Sequence, residues 1–189
     1  MAQTLAPIQF KAKLHRPVEG GNWTFVHLPQ EASGKLPTRN MFSVEGTING
    51  FSFATTLEPD SEGGHWFRVE PEWSDGANAN AGEYVELEIL PAAVEPEPEV
   101  PADLQKALSD TPAALAVWND TTAIARRDWI TWMGQVKKAE TRALRINKMM
   151  DMLSHGKRRV CCFDRSGLAS KAFVCPVAAE DSFNPNEDR

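Results

Sequence analysis

Three cations at steps of four and three, Lys138, Arg142 and Arg145, fall on one face of any helix that carries them. Arg126 and Arg127 lie about one helix earlier, and Lys157-Arg158-Arg159 follow the last helical stretch. Guanidinium and ammonium groups gathered in this way can hold a phosphate, an acidic protein surface or a nucleic-acid backbone. The bland reading is a solvated helix face, or one paired with the acidic first half of the chain. The position of the side chains decides between them. Turned outward, they form a binding face; locked onto carboxylates of this same chain, they are scaffolding.

His155, Cys161, Cys162 and Cys175 supply four possible metal ligands. A structural zinc site usually draws paired thiolates from a turn of two to four residues, and no Cys-x-x-Cys is present, so no metal is assigned. Adjacent cysteines close a disulfide ring only with strain. Inert thiols and redox-sensitive surface thiols are the two readings left. Nucleophile-elbow, phosphate-loop and zinc-protease motifs are absent, so no catalytic residue and no cofactor is assigned. An enzyme would have to assemble its site from scattered residues at a barrel mouth, such as Arg39, Asn40 and His65. Gly63-Gly64, just before His65, reads as a turn between strands.

The elements that must position these groups divide the chain. Residues 8–90 alternate apolar and polar side chains in about six short runs, from Ile8–Leu14 to Tyr84–Leu90. Asn49-Gly50 between two such runs is a strong hairpin signal, because both residues tolerate a positive φ. So many short strands predict a small β-barrel over residues 1–90, since an open sheet would leave edges uncovered. Residues 91–101 contain four prolines and Glu95, Glu97 and Glu99, the composition of an extended linker.

Residues 102–156 predict a cluster of three to four short helices, and 157–189 an irregular tail ending in a loose Phe183–Arg189. Thr111 before Pro112 reads as an N-cap. Ile130, Met133 and Val136 form the stripe of one helix; Ala143, Ile146, Met150 and Leu153 form that of the next. Gly156 stops the last helix. The fold class is α+β. Trp118, Trp129 and Trp132 read as packing, with base stacking the alternative.

Charge separates the halves as sharply as pattern does. Residues 1–90 carry 6 basic and 12 acidic side chains, whereas 102–160 carry 11 and 6, within a chain of net charge −6. That acidity weighs against nucleic acid as the partner, because the first half would repel a phosphate backbone. No apolar run is long enough to span a membrane, and the first fourteen residues lack a signal-peptide core. With three cysteines, an odd number, these features lead us to expect a cytoplasmic protein.

Several runs carry a resemblance. In the first half they are Phe10-Lys11-Ala12-Lys13-Leu14, Trp23-x-Phe25-Val26-x-Leu28-Pro29, Val44-x-Gly46-Thr47-Ile48-Asn49-Gly50-x-x-Phe53 and Gly82-Glu83-x-Val85. In the second they are Trp129-Ile130-x-Trp132, Lys138-Ala139-Glu140-Thr141-Arg142-x-x-Arg145-Ile146 and Leu153-x-x-Gly156-Lys157. On these the chain resembles the YdeI/OmpD-associated proteins, also described as bacteriocin-protection proteins, over most of residues 8–156. The resemblance implies a small N-terminal β-barrel of unknown function, helices behind it, and an association with stress or bacteriocin tolerance. It brings no established catalytic residues. One departure is the stretch 73–81, which lacks the basic residues its relatives tend to carry before the final strand. The function to be expected is non-enzymatic binding of an anionic small molecule or an acidic partner surface, with nucleic-acid binding and a barrel-mouth enzyme as the alternatives.

Overall fold

The computed structural model describes residues 6–182, and the expected loose tail Phe183–Arg189 lies outside them. The chain forms two compact units, Met1–Ala93 with Asp164–Arg189, and Val94–Phe163.

The first unit is a six-stranded antiparallel sheet built from β1 (Ile8–Lys13), β2 (Thr24–His27), β3 (Phe42–Ile48), β4 (Phe51–Pro59), β5 (His65–Val69) and β6 (Tyr84–Pro91). Its order is β1-β6-β3-β4-β5-β2. The sheet curls into a half-barrel. Its two edges meet beyond β1, where His15 and Phe25 exchange backbone hydrogen bonds of 2.9 Å in each direction. Curling puts one side of every strand inside: Ile8, Val44, Ile48, Leu57, Phe67, Val85 and Ile89 are all buried in one core. Asn49 and Gly50 turn with φ of 46° and 85°, as the hairpin signal requires.

Two short helices were not visible in the sequence pattern: α1 (Gln30–Gly34) and α2 (Pro71–Gly76). With 5 and 6 residues they are too short to show a helical period. Trp73 of α2 packs on the core with its ring 5.4 Å from that of Phe53.

The segment from Lys171 to Glu180 is bonded to this unit. Ser61 Oγ donates to the Phe173 carbonyl at 2.6 Å and accepts from the Phe173 N–H at 3.1 Å. The Val18 and Ala179 N–H groups bond the Val177 and Arg16 carbonyls.

The second unit contains α3 (Ala102–Ser109), α4 (Pro112–Asn119), α5 (Ala123–Gly134) and α6 (Ala139–Ser154). Leu104, Leu108, Trp118, Trp129, Met133, Ile146, Met149, Met150 and Leu153 are buried. The helix ends follow local chemistry. Thr122 caps α5 by accepting from the Ala125 N–H at 3.2 Å. Gly156, at φ 81°, ends α6: its N–H bonds the Leu153 carbonyl, and that of Lys157 bonds Met152. This is the pair of bonds that a left-handed glycine permits after a helix.

Three details differ from the expected pattern. Thr111 holds the N-cap position of α4 without a side-chain cap bond. Val136 lies beyond the end of α5, whose buried residues are Ala125, Asp128, Trp129 and Met133. In α6, Ala143 is exposed and Met149 is buried, so the apolar face is rotated from the predicted one. Among the described residues no helix is long and apolar enough to cross a membrane.

Candidate functional site

Rotation of the α6 face changes the setting of its cations. Lys138, Arg142 and Arg145 continue at a step of four into buried Met149, so their row borders the packed face and does not oppose it. Arg142 reaches Asp103 of α3 with two bonds, Nε to Oδ2 at 2.6 Å and Nη2 to Oδ1 at 2.9 Å. Arg145 donates to the Trp132 carbonyl and lies over the Trp132 ring, 4.9 Å from its centroid.

Arg126 and Arg127 of α5 are held by the proline-rich segment. Arg126 forms two bonds to Glu97, of 3.0 and 2.7 Å, and a third to the Trp118 carbonyl at 3.1 Å. Arg127 pairs with Glu95. These two guanidinium side chains are only 16% and 14% exposed. The expected outward basic face is thus taken up, arginine by arginine, within its own unit. The partners are carboxylates of the linker and α3 for three of them, and the Trp132 carbonyl and ring for Arg145. Lys138 remains exposed at the N-cap of α6 with no ion pair among the described residues.

The Arg142–Asp103 pair has a pH signature. The hydrogen bonds from Arg142 hold the Asp103 carboxyl below its ordinary value of 3.8. A carboxyl lowered by folding stabilises the fold above the unfolded value, and that support is lost as pH falls through the folded value. Asp103→Asn is therefore expected to flatten the decline in stability below about pH 4, by no more than about 1 kcal/mol for so exposed a pair. Urea midpoints of both proteins between pH 2 and 7 measure it.

Arg158 and Arg159 stand apart from that network. A pocket of about 150 Å³ is lined by Asp120, Thr121, Thr122, Ala125, Arg158 and Arg159. Thr122, the N-cap of α5, and Ala125 of its first turn line it, and the positive end of a helix dipole favours an anion. Arg158 is neutralised by Asp120. Arg159 is exposed and has no ion pair among the described residues. The walls are fixed from below: Thr121 donates to the Trp118 carbonyl at 2.7 Å, and fully buried Trp129 donates from its indole nitrogen to the Arg158 carbonyl at 3.4 Å.

In the first unit the three barrel-mouth residues do come together. His65 is fully buried, and its Nε2 lies 3.0 Å from the Asn40 carbonyl oxygen. Arg39 donates to the Gly63 carbonyl, two residues from His65. Burial holds the His65 imidazole below its ordinary pKa and keeps it neutral. None of the three lines the cavity of about 460 Å³, which lies along Gln9, Lys11, Thr47, Glu86 and Glu88.

Sequence spacing missed the pair next to them. His27 Nε2 is 2.8 Å from Asp60 Oδ2, while Asp60 Oδ1 accepts from the Glu62 and Gly64 N–H groups at 2.8 Å each. Burial pushes the Asp60 carboxyl up, but the bonds from His27, Glu62 and Gly64 together carry it below its ordinary value. A Cβ at Gly64 would lie 2.4 Å from Asp60 Oδ2, so a side chain there would displace the carboxylate that meets His27. The Asp60-x-x-Gly-Gly spacing was the one available signal. The arrangement fixes the loop to which Phe173 and Lys171 attach.

The three cysteines are free. Among the described residues no group of three or more His, Cys, Asp or Glu side chains is placed to hold a metal ion.

Compared with protein families, residues 97–156 match the model described as bacteriocin-protection, YdeI or OmpD-associated. Residues 10–89 match a domain of unknown function, DUF1905. No curated protein matches the chain.

Proposed function

We propose that this chain, in which a DUF1905 domain precedes a bacteriocin-protection, YdeI or OmpD-associated region, is a non-enzymatic binding protein. It holds an anionic group, on a small molecule or an acidic protein surface, at the pocket edged by Arg159. The observation that carries this reading is the division of labour among the cations. Arg126, Arg127, Arg142 and Arg145 are committed to Glu97, Glu95, Asp103 and Trp132, whereas Arg159 faces a cavity beside the first turn of α5.

A guanidinium and a helix start acting on one oxyanion reinforce each other, through charge-assisted hydrogen bonds and the helix dipole. Asp120 cancels Arg158, so the pocket offers about one net positive charge. Such a site suits a terminal phosphate or carboxylate better than a long polyanion. The family description names bacteriocin protection, and protection by sequestering or docking needs only such recognition and no chemistry.

Thermal unfolding in rising inorganic phosphate, against sodium chloride at equal ionic strength, tests the reading. A ligand at 100 times its Kd adds about 2.7 kcal/mol of stability. Phosphate is expected to raise the unfolding temperature of the wild type and not that of Arg159→Ala. An equal rise in both would remove the site, and a rise with duplex DNA that collapses between 50 and 200 mM salt would favour nucleic acid instead.

A further inference from the structure

Val160 and Phe163 are both buried, and the two residues between them, Cys161 and Cys162, are both exposed. The chain therefore makes a turn pinned at its ends by apolar side chains, with two thiols displayed on its outer side. Cys162 adopts φ 59°, a left-handed conformation that residues other than glycine rarely take. The two sulfurs lie 3.2 Å apart, in hydrogen-bond contact and unbonded. The hydrogen bond and charge of Cys161 raise the Cys162 thiol above its ordinary pKa, while Lys157 pulls it the other way.

What this geometry fits follows from bond lengths. A disulfide needs sulfurs about 2.05 Å apart and Cα atoms about 4.4–6.8 Å apart, but adjacent Cα atoms are fixed at about 3.8 Å. A single atom bridging both sulfurs asks for less. Two bonds of about 2.3 Å, the length of a metal–thiolate bond, meeting near a right angle separate the sulfurs by about 3.2 Å. Near-right-angle bonding through p orbitals is the habit of a soft trivalent main-group centre, whereas zinc wants a tetrahedron of four ligands.

We propose that the Cys161–Cys162 turn is a chelating site for a trivalent arsenical. With an organoarsenic(III) oxide, two As–S bonds form as the arsenic–oxygen bonds break. Both thiol protons leave with the oxygen as one water molecule, and arsenic stays trivalent, so no oxidant is needed. Cys175 takes no part: burial, then the charges of Asp60 and Glu58, push its thiol up to about 12.

Phenylarsine oxide and intact-mass measurement on the full chain test this. The wild type is expected to keep one adduct through desalting in excess glutathione, a monothiol, and to lose it to dithiothreitol, a dithiol. Closing the second As–S bond within one molecule makes the chelate tighter by about 100-fold or more. Cys161→Ser and Cys162→Ser should each lose the adduct in glutathione, and Cys175→Ser should keep it. Retention by either single variant, or loss in Cys175→Ser, would overturn the proposal. The two serine variants replace exposed thiols, and their unchanged unfolding temperatures would exclude misfolding as the cause of a loss.

Discussion

Gly46→Ala lowers the stability of the half-barrel by about 3 kcal/mol, at the upper end of what overpacking costs. A Cβ at this position would stand 2.0 Å from the Glu88 carbonyl oxygen. That oxygen belongs to the backbone of β6, which pairs with β3 in the centre of the sheet with Gly46 opposite Ile89. No side chain can swing aside to make room, so β3 and β6 must separate or the curl must open. Gly50→Ala is the informative comparison. Gly50 has φ of 85° but open space around its Cβ, so only the left-handed conformation is penalised, by about 1–2 kcal/mol. Urea unfolding followed by circular dichroism should order the three proteins as wild type, then Gly50→Ala, then Gly46→Ala. The reverse order of the variants would mean that the sheet is flatter than described.

Trp129→Ala is expected to cost the helical unit about 3–5 kcal/mol. The indole is fully buried, stacks edge-on against Trp132 with centroids 6.0 Å apart, and holds the Arg158 carbonyl. Its loss opens a void in the core of the helical unit and frees the segment that carries Arg158 and Arg159. Phosphate-dependent stabilisation should vanish with it, although Trp129 touches no ligand. Complete burial also settles its sequence-level alternative, since a ring closed to solvent offers no face to a nucleic-acid base. A denaturation midpoint for Trp129→Ala within 0.5 kcal/mol of the wild type would contradict the packing described here.

Much of the fold was legible because its signals are local. The Asn49-Gly50 turn, the alternation along β3 and β4, and Gly156 after α6 each declare themselves within a few residues. The short helices α1 and α2 did not, since neither completes two turns. Partners were legible least of all. The spacing of Lys138, Arg142 and Arg145 showed a shared face, yet Asp103 lies 39 residues from Arg142 in sequence, and Glu97 lies 29 from Arg126. A charge announces itself in the sequence, but the charge it meets depends on how helices cross.

That difficulty extends to the first unit. Arg39, Asn40 and His65 lie near one another through backbone carbonyls, but nothing local showed that His65 would be buried. The His27–Asp60 contact spans 33 residues and went unseen for the same reason. Arg158 and Arg159 were noticed only as the end of a basic run. Their distinction, one cancelled by Asp120 and the other open to a cavity, needs the path of the chain around α5.

Phosphate-dependent chemical-shift changes, compared in Arg142→Ala and Arg159→Ala, separate a cation that builds the fold from one that binds. The account requires Arg142→Ala to keep the wild-type response of the Thr122, Ala123 and Ile124 amides while unfolding more easily. Arg159→Ala must lose that response at unchanged stability. Loss of the response in Arg142→Ala with Arg159→Ala unaffected would place the anion on the α6 face and refute the assignment.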